Sequence, residues 1–245
     1  MNDKLQQIDT LLGELNQYRA NENYRITEAL EIEYTYDSNR IEGNTLTLHE
    51  TDMVVNKGIT IAGKGLKEHL EAINHKEAID FIKDIAQKKE PISERVLLDI
   101  HAIVLHSIDK DNAGKYRRVP VIISGSKHIP PQPYLLQPKM DELFQWYEAN
   151  KDSMHPVVLA AQMHEKLVSV HPFIDGNGRT ARLLMNLILM QHGYPIANIK
   201  GENETRRRYY ETLEEASSGD NSAFVEFIED VVIQSLTYYL KIIRG

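Results

Sequence analysis

Twelve consecutive residues, His171-Pro172-Phe173-Ile174-Asp175-Gly176-Asn177-Gly178-Arg179-Thr180-Ala181-Arg182, carry more potential chemistry than any other stretch of the chain. His171 supplies an imidazole that is neutral near pH 7 and can take a proton from an attacking hydroxyl, although one histidine among ten is commonly a packed or surface residue. Asp175 is a hard oxygen ligand suited to Mg²⁺ shared with phosphate oxygens; an aspartate before glycine equally suits a plain turn. Gly176 and Gly178 let backbone N–H groups approach a ligand with no Cβ between them, and Asn177 adds an amide donor. Arg179 and Arg182 lie three apart, where positive charge opposes the dipole of the helix that begins here. Bidentate contacts to a polyphosphate would account for them, and so in part would pairing with structural carboxylates.

The elements that position this run are helical. Leu183-Leu184-Met185-Asn186-Leu187-Ile188-Leu189-Met190 is too apolar for a surface and predicts a buried helix whose first turn is the motif, which is how a protein presents free N–H groups to a phosphate. Leu5, Ile8, Leu11, Leu12 and Leu15 form a stripe near the N-terminus. A second helix is expected from Tyr24 to about Ile41, stopped by Gly43-Asn44. Thr47 and Glu50 have capping-box spacing for the next. Further helices are predicted over Leu66 to about Lys88, after Pro91 and Ser93, over 138–150 and 156–170, and near 204–216 and 222–243. One stretch departs from this pattern. Tyr116 to Pro133 carries Val119, Val121, Ile122 and Ile123, then Ser124-Gly125-Ser126, and reads as a β-hairpin with a polar tip.

The chain has 245 residues, enough for one domain with a small accessory lobe. A formal charge of −8 and a pI near 5.7 argue against general affinity for nucleic acid or anionic membranes. The absence of cysteine excludes disulfides, thiolate metal sites and a thiol nucleophile. The start, Met1-Asn2-Asp3-Lys4-Leu5, lacks the apolar stretch of a secretory signal, and a cytoplasmic protein is expected. His164-Glu165 lacks a second histidine four positions after the first, so a zinc hydrolase does not fit.

The run from His171 to Arg182 matches, position for position, the HPFxxGNGRxxR signature of the Fic family, named for filamentation induced by cAMP. The likeness covers about residues 32–227, and around Ile41-Glu42-Gly43-Asn44 it is similar to the metazoan endoplasmic-reticulum branch. That branch both attaches AMP to a chaperone and removes it; neither its location nor its target carries over. The resemblance implies an all-α, Fic-type helical bundle with a small β-hairpin flap over the active site. It divides the chain into an N-terminal helical region (1–90) with an inhibitory helix at about 36–44, a Fic core (91–227) and a C-terminal helix (228–245). It further implies transfer of AMP from ATP to a Ser, Thr or Tyr hydroxyl of a target protein. In that reading His171 is the base, Asp175 binds Mg²⁺, and Gly176, Asn177, Gly178, Arg179, Thr180, Ala181 and Arg182 hold the phosphates. Ser126, Lys127 and His128 of the flap, with Tyr209, Tyr210 and Ser217, would meet the nucleoside; Ser217 stands where the family often has Asn. Ser38-Asn39-Arg40-Ile41-Glu42-Gly43 fits the family's [S/T]xxxE[G/N] inhibitory motif, in which Glu42 pairs with Arg182 in competition with a phosphate. Removal of AMP through the same site, or a latent nucleotide-binding module, are the alternatives. A homodimer agrees with the family likeness, and no residue decides it.

Overall fold

The computed structural model describes residues 3–244, so Met1 and Asn2 of the predicted N-terminal region and Gly245 of the C-terminal one lie outside it. The α-helices among the described residues are α1 (Asp3–Tyr18), α2 (Tyr24–Ile41), α3 (Leu48–Lys57), α4 (Leu66–Lys88), α5 (Glu94–Leu105), α6 (Leu136–Asn150), α7 (Pro156–Val170), α8 (Asn177–Gln191), α9 (Asn203–Ser217) and α10 (Ser222–Arg244). Local signals set most of their ends. Asn23 caps α2 by accepting from the N–H groups of Arg25 and Ile26 at 3.1 and 3.2 Å. Thr47 and Glu50 close the capping box of α3 in both directions, at 3.2 and 2.7 Å. Ser93 caps α5, and Gly58 ends α3 in the left-handed region at φ +62°.

Helix α8 is the buried centre of the half of the fold that carries the motif, in contact with α2, α4, α5 and α7. Of its residues from Asn177 to Leu189 all but Gly178 are buried, as the apolar run requires, and α7, α4 and α5 cover it. One contiguous core takes side chains from Ile8 in α1 to Ile243 in α10, because α1 and α10 pack along each other. A small satellite of Leu46, Val54 and Ala72 lies beneath α3. Truncating Leu184, fully buried in α8, to Ala would cost about 2–5 kcal/mol through lost contacts and a residual cavity. No helix among the described residues is long and apolar enough to cross a membrane.

The expected β-hairpin is not formed. Residues 117–132 contain no strand; they run as two extended arms joined by a turn, in which the Ser126 N–H donates to the Ile123 carbonyl at 3.2 Å and Gly125 takes φ +82°. The β-branched residues do favour extended chain, but Pro120, Pro130 and Pro131 have no N–H to give to a ladder. A side chain joins the arms instead: Arg117 donates to the Val119 carbonyl at 3.0 Å and to the Pro131 carbonyl at 2.6 Å.

Candidate active site

The motif loop hangs between the end of α7 and the start of α8. Helix α7 stops at His171, a left-handed residue at φ +49° whose N–H donates to the Leu167 carbonyl at 3.0 Å. That backbone conformation is costly for a residue with a Cβ, and Pro172 then prevents any continuation of the helix. Phe173 is fully buried and stacks on the His101 ring with centroids 3.6 Å apart. Asn177 fixes the loop from the other side: its amide nitrogen donates to the Phe173 carbonyl at 2.9 Å, and its amide oxygen accepts the Phe173 N–H at 3.0 Å. The amide expected to serve an anion therefore serves the loop. His101 is a second clamp, accepting the Gly114 N–H at Nδ1 (3.0 Å) and donating from Nε2 to the Asp175 carbonyl (3.0 Å). Burial pushes its pKa down to about 4, so it stays neutral and keeps this tautomer.

The mouth of α8 faces this loop. Gly176, at φ +81°, turns the chain into the helix, and the first intrahelical bond is from the Thr180 N–H to the Gly176 carbonyl at 2.9 Å. The N–H groups of Asn177, Gly178 and Arg179 precede that bond and lie at the positive end of the dipole. Over them sits Glu42, the C-cap of α2: a Cβ on Gly178 would collide with Glu42 Oε1. The same carboxylate oxygen accepts from Arg182 Nη2 at 2.7 Å. Arg182 is 1% exposed and also donates to the Ser38 hydroxyl (3.0 Å), the Ser38 carbonyl (2.9 Å) and the Tyr209 hydroxyl (3.3 Å). Burial works against its charge, but Glu42, with Tyr209 and Tyr34, outweighs burial and raises its pKa. The Glu42 carboxylate thus stands where an anionic phosphate oxygen would meet the same guanidinium.

Arg179 is held differently. It lies 3.1 Å from Asp175 Oδ1 and 3.4 Å from Glu71 of α4, yet its Nε and Nη1 have no hydrogen-bond partner although buried. Asp175 also accepts the Gly176 N–H at 2.6 Å and faces Lys67 Nζ at 3.4 Å. Burial pushes its carboxyl pKa up, but Arg179 and Lys67 outweigh burial and lower it. Burial lowers the His171 pKa; a backbone hydrogen bond to Val168 opposes this in part, and Arg117 lowers it further against the pull of Glu42. The depressed pKa keeps the imidazole neutral near pH 7, the form a general base needs.

The remaining predicted residues divide. Thr180 and Ala181 are fully buried on α8 and face the core. The Ser126 hydroxyl and the Lys127 N–H both donate to Glu214 of α9, while the His128 ring contacts the Ser169 carbonyl at 2.7 Å. Lys127, His128, Ser217 and Glu214 line a groove between flap and α9. Tyr209 is buried, its hydroxyl lying between Arg182 and His164, so it supports the arginine from the core. Tyr210 is half-exposed and donates to the Ile41 carbonyl at 3.1 Å, fastening the end of α2. Sequence reasoning missed Lys67, Glu71, His101, Arg117 and Glu214. Only His101 left a signal, as a histidine beside the apolar Leu97, Ile100, Val104 stripe of α5.

Residues 91–189 match the Fic/DOC family. The chain is 40% identical over 211 residues to the protein adenylyltransferase Fic of Culex quinquefasciatus, covering 85% of this chain and 41% of that one. It is 39% identical over 210 residues to the protein adenylyltransferase Fic of Nematostella vectensis, covering 85% and 48%. It spans less than half the length of these relatives. Among solved structures, a fragment of Fic-1 from C. elegans superposes with a TM-score of 0.87 at 31% identity, over 98% of this chain and 72% of that one. A Fic-domain signalling protein from Bacteroides thetaiotaomicron gives a TM-score of 0.88 at 30% identity, over 99% and 97%.

Proposed function

This chain belongs to the Fic/DOC family, and from that premise we propose that it is a protein adenylyltransferase restrained by its own Glu42. One observation carries the reading. A neutral histidine, a half-exposed carboxylate and two arginines converge on the mouth of α8, and Glu42 lies over that mouth, paired with Arg182. With ATP bound, the N–H groups of α8 and the two guanidinium groups hold the phosphates. A Ser, Thr or Tyr hydroxyl of the target attacks the α-phosphorus as His171 takes its proton. The new bond joins target oxygen to AMP, and the α–β bridging bond breaks to release pyrophosphate.

Asp175 is the residue that would hold Mg²⁺. Its half-exposed oxygens beside the phosphate turn, now neutralised by Lys67 and Arg179, fit a divalent cation. Among the described residues no cluster of three or more His, Cys, Asp or Glu is built for a metal, so one carboxylate with phosphate oxygens and water is the arrangement that fits, which is the habit of Mg²⁺. Such an ion neutralises phosphate charge. Glu42 then inhibits by occupancy, since a carboxylate and a phosphate cannot both sit over Gly178.

The experiment is incubation of wild type, Glu42→Gly and Glu42→Gly/His171→Ala with Mg²⁺ and α-phosphate-labelled ATP. Label on Glu42→Gly alone, lost when the label is moved to the γ-phosphate, is the expected result. A second reading, hydrolytic removal of AMP, draws on the 32% exposure of the Glu42 side chain, which leaves it able to orient water. AMP released from a modified target by wild type but not by Glu42→Gly would favour it.

A further inference from the structure

Arg117 sits where the two arms of the flap meet the motif loop, 3% exposed, and every group it bonds is a carbonyl. Its Nε donates to the His171 carbonyl at 2.9 Å, Nη1 to Val119 at 3.0 Å and Nη2 to Pro131 at 2.6 Å, while its own N–H donates to the Pro172 carbonyl at 2.9 Å. No carboxylate among the described residues lies within ion-pair distance of it, and burial alone lowers its pKa. A buried guanidinium without a counter-ion is expensive, and pinning two loop arms together does not by itself require a charge. The bond to His171 is the informative one. His171 holds a left-handed backbone that costs about 1–2 kcal/mol for a residue with a Cβ, so its carbonyl needs an outside restraint. Arg117 provides it, and the same planar group fixes both arms of the flap.

We propose that Arg117 is a positioning residue for the transfer reaction, holding His171 in the geometry of a base and coupling that geometry to the flap. The inference rests on the adenylyltransferase reading. A target segment that moves the Val119 or Pro131 arm moves the guanidinium, and with it the backbone that carries the imidazole. Arg117 exchanges no proton. Its charge has a separate consequence: it faces His171 together with His128 and Glu42, and it favours the neutral ring.

Two substitutions in the Glu42→Gly background separate geometry from charge. Arg117→Lys keeps the charge but lacks the planar fork that spans the three carbonyls; Arg117→Met removes both. The readouts are ATP affinity by calorimetry, kcat and KM for AMP transfer, melting temperature, and NMR titration of the His171 ring, assigned with His171→Ala. For Arg117→Lys the expected result is a roughly ten- to hundredfold fall in kcat with ATP affinity and the His171 titration unchanged. For Arg117→Met the fall in kcat is at least as large and His171 titrates at higher pH. Parental kcat in Arg117→Lys overturns the proposal, as does ATP affinity falling in step with kcat. If Arg117→Met does not fold, Arg117→Lys decides. Should the Glu42→Gly parent transfer no AMP at all, the adenylyltransferase reading fails separately; the ring shifts and titration of His171 still judge Arg117, and their indifference to both substitutions overturns its role.

Discussion

The motif loop at 171–182 and the flap at 117–132 are neighbours at one site and are held in opposite ways. In the loop, Asn177 ties both polar groups of Phe173, His101 bridges Gly114 to Asp175, and the apolar run of α8 anchors everything beneath. In the flap, no strand ladder forms, Ile122 is 90% exposed, and the restraints are Arg117 at the base, Glu214 at the tip and the His128 ring on the Ser169 carbonyl. The loop is over-determined and the flap is tethered. Under the proposed function, preorganised dipoles and a fixed base suit chemistry on a phosphate, whereas adjustable backbone in the flap suits contact with a target protein. The loop also separates two kinds of residue, those that do chemistry and those that only hold.

The largest test of that separation is His171→Ala in the Glu42→Gly background. His171 is the proposed base, so its removal should cost about 10²–10⁴ in kcat, on the order expected for a general base, with ATP still bound. Stability should change by no more than about 1 kcal/mol. A comparable loss of melting temperature and rate would show that His171 holds the loop as well, and the division between chemical and scaffolding residues would fail.

Next in size is the acid limb of stability set by His101. Its folded pKa is about 4 against the ordinary value near 6.5, so between those pH values the unfolded chain binds the extra proton. The stability contributed by a neutral His101 is present above about pH 6.5 and is lost as pH falls toward 4, up to about 3 kcal/mol. His75 and His164, both buried with lowered pKa values, act in the same direction. His101→Phe keeps a ring against Phe173 but cannot take the proton. Denaturant titrations from pH 7 to 4.5 should show it less stable at pH 7 and losing less on acidification. An unchanged slope would detach His101 from the acid limb.

Asn177→Ala comes third. It leaves the buried N–H and carbonyl of Phe173 unpaired, at about 1–3 kcal/mol measured by denaturant unfolding. Transfer by the Glu42→Gly background should fall with it, because the loop between His171 and Gly176 loses its closing bonds. Parental stability would mean that His101 alone suffices to hold the loop.

These residues also mark how far the sequence could be read. The motif loop was legible because its residue types fall within twelve positions, Asn177 closes it locally on Phe173, and its helix announces itself by an unbroken apolar run. Helix ends at Ile41, Thr47 and Ser93 were legible for a similar reason, since caps act within four residues. The flap was misread because β-branched residues report a preference for extended chain and say nothing about a partner. Its prolines deny it a ladder, and the group that joins its arms, Arg117, looks in sequence like any charged surface residue. Lys67 and Glu71 were invisible for the same cause: α4 meets Asp175 and Arg179 only in the folded chain. Tyr209 and Tyr210 were named together from sequence; adjacent helical positions point about 100° apart, and the fold sends one into the core and the other outward.

The finest test of the comparison is Glu214→Gln. Glu214 is half-buried on α9 and accepts from the Ser126 hydroxyl and the Lys127 N–H; the first of these bonds does most to lower its carboxyl pKa. Glutamine preserves the shape and weakens both charge-assisted bonds, and a partly solvated contact of this kind is worth no more than about 1 kcal/mol. Global stability should therefore be nearly unchanged. Hydrogen exchange in peptides spanning 121–129 should rise several-fold, while exchange at 172–182 stays at the parental level, because local opening of a tethered segment does not require unfolding of the loop beside it. Faster exchange in both segments would mean that flap and loop open as one unit, with Arg117 transmitting the motion, and the two would then have to be described as a single element. Unchanged exchange in both would mean that Arg117 and the His128–Ser169 contact set the stability of the flap and that Glu214 merely rests against its tip.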